Sequence, residues 1–77
     1  MPRIVIEGFT LRVYTDDHQP AHVHVLRAGA EIRVYLRGRR AHEKVAGRMS
    51  ASDTRRALRI VGEHREELLQ LWRKYHQ

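Results

Sequence analysis

Seventy-seven residues, 42% hydrophobic and 31% charged, make one small globular domain. A chain of this length buries only about 60–65% of its unfolded surface, which excludes a large internal catalytic cavity and favours a site on a sheet face or in a shallow groove. The absence of cysteine excludes a disulfide scaffold, a thiolate zinc site and a thiol nucleophile, and the net charge of +6 points to a polyanionic partner, nucleic acid first.

Thirteen of the fifteen cationic residues are Arg, the side chain suited to planar, bidentate phosphate contacts. No apolar run approaches the ~18–20 residues of a membrane span. Met1-Pro2-Arg3-Ile4 carries no signal-peptide core. The expectation is a cytoplasmic protein with no membrane partner.

In chain order, Arg3-Ile4-Val5-Ile6-Glu7 reads as a short strand stopped at Gly8. Residues 9–15 alternate, with Leu11 and Val13 facing a core and Arg12 and Tyr14 facing away. Asp16-Asp17-His18-Gln19-Pro20 is a polar loop, and Ala21-His22-Val23-His24-Val25 resumes the two-residue period. Ala28-Gly29 marks a hairpin leading into residues 30–37. If Arg27 opposes Ala30, then Val25 meets Ile32, Val23 meets Val34 and Ala21 meets Leu36 on one face. His24 then meets Arg33 and His22 meets Tyr35 on the other. A slip of one residue would mix the two sets, so the pattern specifies this register.

Residues 38–52 read as a basic loop that includes a short strand candidate around Lys44-Val45. Ser50 offers an N-cap with Asp53 three residues on, and Ser52 competes with it. From about 53 to 75 the pattern is helical, with Leu58, Val61, Leu68, Trp72 and Tyr75 on one stripe, His64 between them and a slight break at Gly62. The expected fold is α+β: a single domain (1–77) with a small antiparallel sheet of three to four strands, spanning about 3–37, packed on one long C-terminal helix. The outer sheet face then carries Arg12, Tyr14, His22, His24, Arg33, Tyr35 and Arg37, and solvent is expected to cover it.

The densest chemistry is Asp17-His18-Gln19-Pro20-Ala21-His22-Val23-His24. His22 and His24, two apart on a strand, share a face with Cα atoms ~6.6 Å apart. Imidazoles so placed can converge on one divalent metal ion, with Asp17 or His18 completing the set. The same residues serve a metal-free reading with no cofactor. His22 and His24 act as base and acid on RNA, Arg33 and Tyr35 complete the catalytic group, and Arg12 and Arg37 help hold phosphate. Tyr14 and Tyr35 are candidates for base stacking or for cross-strand packing. A second basic cluster, Arg37, Arg39, Arg40 and Lys44, belongs to residues 27–48, which hold seven cations and two acids. It fits phosphate-backbone contacts without sequence readout.

Several of these strings together resemble the bacterial domain-of-unknown-function-4160 family. They are Met1-Pro2-Arg3-Ile4, Asp17-His18-x-Pro20-x-His22-x-His24, Arg56-Ala57-Leu58-Arg59-x-Val61, His64-Arg65-Glu66-Glu67-Leu68 and Trp72, and the resemblance covers nearly the whole chain. The family usually has an aromatic residue where Val23 stands, and about one more helical turn between the equivalents of Val61 and His64. The resemblance implies a small cytoplasmic protein, encoded beside another small protein in the manner of a type II toxin–antitoxin pair and described as a candidate toxin. The first expectation is therefore a toxin that acts on RNA or translation through its His/Arg/Tyr sheet face, with a small cognate antitoxin as partner. The alternatives are a non-enzymatic nucleic-acid-binding module and a metal-binding protein using the His-x-Pro-x-His-x-His segment.

Overall fold

Two tight turns dictate how the first half of the chain folds. Glu7-Gly8 (φ 51° and 82°) and Ala28-Gly29 (φ 50° and 78°) each place two successive residues at positive φ, the turn geometry whose twist matches a pair of antiparallel strands. In the computed structural model, which describes residues 3–38 and 41–76, these turns join β1 (Arg3–Ile6) to β2 (Phe9–Arg12) and β3 (His22–Arg27) to β4 (Ala30–Tyr35). The β3–β4 register is the one the alternation specifies: Val25 opposes Ile32, Val23 opposes Val34, His24 opposes Arg33 and His22 opposes Tyr35.

A fifth strand, β5 (His42–Ala46), pairs with β4 and completes an antiparallel sheet in the order β1-β2-β3-β4-β5. The sheet is thus larger than three to four strands, and its last strand occupies much of the stretch expected as a basic loop. All five residues of β5 are exposed, so no apolar alternation marks its length in the sequence. Its end is fixed by backbone contact. Gly47 has φ 63°, and a Cβ there would lie 2.6 Å from the Gly29 carbonyl oxygen. Only glycine lets β5 close so tightly on the β3–β4 turn.

The C-terminal part is two helices, α1 (Ala51–Glu63) and α2 (Arg65–Tyr75), rather than one. Ser50 is the cap: its Oγ accepts from the Asp53 N–H at 3.0 Å, while Ser52 is already helical. The break falls at His64 (φ −109°, ψ 18°), two residues beyond Gly62. It changes which side chains are buried. Ala57, Ile60 and Val61 of α1 and Leu68, Leu69 and Trp72 of α2 join Leu11, Val13, Val23, Val25, Ile32, Val34 and Leu36 in one core. Leu58 is only partly buried and Tyr75 is exposed, so the single straight stripe holds only in part. The Arg65 Nε–H donates to the Leu36 carbonyl, tying the start of α2 to the end of β4. Among the described residues no helix is long and apolar enough to cross a membrane.

Candidate functional site

β3 is the central strand, and its position decides the character of the site. Val23 and Val25 are fully buried against the helices, but His22 and His24 on the opposite face are only 5% exposed each. The centre of the outer face is therefore closed, not solvated as expected. Large side chains from both neighbouring strands cover it, and the β2–β3 loop folds back over it. The Tyr14 ring meets His24 edge-on at 4.4 Å, so Tyr14 packs across the strands instead of standing free for a base. His22 lies 5.2 Å from His24, 5.7 Å from Tyr35 and 5.1 Å from Trp72, ring centre to ring centre.

The loop delivers Asp17. Its Oδ2 sits 3.0 Å from Nε2 of His22 and 3.0 Å from Nε2 of His24. Each imidazole is held from behind through Nδ1, His22 by the Pro20 carbonyl oxygen at 2.8 Å and His24 by the Glu31 Oε2 at 2.8 Å. The Pro20 carbonyl oxygen places a proton on His22 Nδ1 and turns its Nε2 toward Asp17, whereas His24 faces a carboxylate oxygen at each ring nitrogen. His24 Nε2 is aligned for a hydrogen bond to Asp17. His22 Nε2 is near the same oxygen but misaligned, and it is a buried nitrogen without a hydrogen-bond partner. One ligand-type atom from each of Asp17, His22 and His24 lies within 4.8 Å of the others.

Cations flank this cluster in a row across the sheet. Arg12 pairs with His24 from β2, Arg33 pairs with it from β4, and Glu43 of β5 follows Arg33. Arg33 donates to Glu43 Oε2 at 3.1 Å, and the Tyr35 hydroxyl donates to Glu43 Oε1 at 3.3 Å. The hydrogen bond to Tyr35, with the charges of Glu43 and Asp17, pushes the Arg33 guanidinium above its ordinary range, so it is cationic at every working pH. The Nε atoms of Arg12 and Arg33 are buried and lack hydrogen-bond partners. Beside the cluster an open depression of about 220 Å³ is lined by Asp17, His18, Gln19, Pro20, His22, Arg33 and Tyr35.

The structure therefore brings together Asp17, His22, His24, Arg12, Tyr14, Arg33 and Tyr35, and separates others. His18 is exposed; it lines the depression but not the three-residue cluster. Lys44 opposes Ile32, which places it on the other sheet face from Arg33. Arg37 lines a different hollow, with Gln19, Ala21, Trp72, Arg73 and His76. Arg39 and Arg40 lie outside the described residues. Sequence reasoning missed Glu31, Glu43 and the reach of Trp72 to His22. The hairpin register held the signal for Glu31, since it stands two residues before Arg33 and is therefore the diagonal neighbour of His24 on the same face.

Set against known proteins, residues 8–73 match the model of the family described as Domain of unknown function (DUF4160). Comparison with curated proteins and with solved structures finds no match.

Proposed function

Since the chain belongs to the domain-of-unknown-function-4160 family, we propose that it is the toxin component of a bacterial type II toxin–antitoxin pair, acting on RNA or the translation machinery at the Asp17–His22–His24 face. The observation that carries this reading is the pair of arginines on either side of the histidine cluster. Arg12 and Arg33 stand across β2, β3 and β4 at one level, on a face that opens into a depression. Arg33 lines that depression while Arg12 stands on the far side of the cluster, and guanidinium groups so placed suit a phosphodiester held by charge-assisted contacts. His22 and His24 act from beneath, since burial keeps their rings from approaching a polymer unaided. Tyr35 and Arg33, both only half-buried, are the groups that meet substrate from above.

A second reading, a nucleic-acid-binding module without chemistry, is favoured by the hollow that Arg37 and Arg73 share, with no carboxylate among the described residues that line it. A salt titration of RNA binding, run alongside RNA cleavage, separates the two. For the catalytic reading, Arg12→Ala and Arg33→Ala each reduce the salt slope by about 0.7, the single-strand value per lost phosphate contact, and cleavage falls with binding. An unchanged slope in both variants would remove the flanking arginines from the interface. Binding without cleavage by the unaltered protein selects the module.

A further inference from the structure

We propose that Asp17, His22 and His24 form a binding site for one divalent first-row transition ion, with Glu31 orienting His24 from behind. Three observations converge on it. The first is ligand type and placement. Two imidazole Nε2 atoms and one carboxylate oxygen meet within 4.8 Å. Metal–ligand bonds of 2.0–2.2 Å put tetrahedral ligands roughly 3.4 Å apart. The present 3.0 Å separations need to open by only a few tenths of an ångström.

The second observation is an orphaned nitrogen. With Nδ1 of His22 donating to the Pro20 carbonyl oxygen, its Nε2 lone pair faces Asp17 Oδ2 at 3.0 Å and has no aligned hydrogen-bond partner. A cation needs no N–H alignment, and one placed between them satisfies both atoms. The third is support from behind. The Glu31–His24 pair is the outer contact that metal-ligating histidines usually make.

Nitrogen-rich sets of this kind suit zinc and nickel better than manganese, magnesium or calcium. Three protein ligands leave a coordination position for water, and the depression beside Asp17 and His22 gives it an outlet. The binding of the ion stands on geometry alone; a catalytic role for it rests on the RNA-directed reading above.

Trp72 is the sole tryptophan and its ring centre lies 5.1 Å from that of His22, so its fluorescence reports occupancy directly. Purified protein, stripped with chelator, is titrated with Zn²⁺, Mn²⁺ and Ni²⁺ by calorimetry and by Trp72 fluorescence. The expected result is one ion per chain, quenching by Ni²⁺, and a melting temperature that rises with metal concentration by mass action. Asp17→Asn and His24→Gln weaken binding by more than the 10–100-fold expected of an outer-contact loss. Glu31→Gln falls within that 10–100-fold range, and His18→Ala binds like the unaltered chain. Folded protein that takes up none of the three ions would overturn the proposal. So would Asp17→Asn binding as tightly as the unaltered protein, or His18→Ala losing as much as His24→Gln. Metal bound with no RNA binding sinks the RNA reading and leaves the site; RNA bound and cleaved with no metal does the reverse.

Discussion

Val23 stands between His22 and His24 on β3 but points the other way, fully buried among the helices. Val23→Ala removes two methyl groups from that core. Transfer at ~0.8 kcal/mol per group accounts for about 1.6 kcal/mol, and incomplete collapse of the cavity adds on the order of 1 kcal/mol. The sum, about 2–3 kcal/mol, is a large fraction of the stability of a domain this size and corresponds to a fall in melting temperature of roughly 10–20 °C. Val5→Ala is the matched control. It deletes the same atoms from an edge-strand residue that is 62% exposed, and it should shift the melting temperature by no more than about 3 °C. Thermal unfolding by circular dichroism measures both. The second half of the prediction concerns the site: per folded molecule, Val23→Ala should bind metal and RNA like the unaltered protein. Equal shifts for the two valine variants would refute the placement of the core. Lost ligand binding by folded Val23→Ala would refute the separation of core face from working face.

Gly47→Ala should destabilise the fold by about 1–3 kcal/mol, because it adds positive-φ strain to a contact at 2.6 Å with the Gly29 carbonyl oxygen. Gly38→Ala, where nothing lies within 4 Å, should cost only the strain, and urea unfolding of the pair compares them. Ser50→Ala removes the acceptor for the Asp53 N–H and should cost about 1 kcal/mol, whereas Ser52→Ala should cost less than half of that. Trp72→Phe should fold and keep the site, while Trp72→Ala, at about 3–5 kcal/mol, should leave little soluble protein. Comparable yields of the two would mean Trp72 is not a core residue.

Much of the fold was legible because the strands alternate. The pairing of His24 with Arg33 and of His22 with Tyr35 followed from keeping Val23, Val25, Ile32 and Val34 on one face. Of β5 only the short candidate around Lys44-Val45 was legible, because an edge strand exposed on both faces has no apolar period to mark its bounds. The helix break was misplaced because Gly62 is the residue with poor helix propensity, yet the chain turns at His64, where α2 needs a new direction to bury Leu68, Leu69 and Trp72. The cluster Asp17, His22 and His24 was visible as a local string. Its burial was not, since that depends on β3 being the central strand and on the loop folding back. His18 looked as good a ligand as Asp17, because sequence spacing does not say which side of a loop faces the sheet.

The proposed working part of the molecule is the buried histidine face, and not the basic surface around Arg37. Growth arrest on induced expression, normalised to the amount of folded protein, tests it most directly. The unaltered chain should arrest growth, co-expression of its neighbouring partner should relieve the arrest, and folded His24→Gln and Arg33→Ala should fail to arrest while Arg37→Ala still does. Folded His24→Gln arresting growth as strongly as the unaltered protein would contradict the claim.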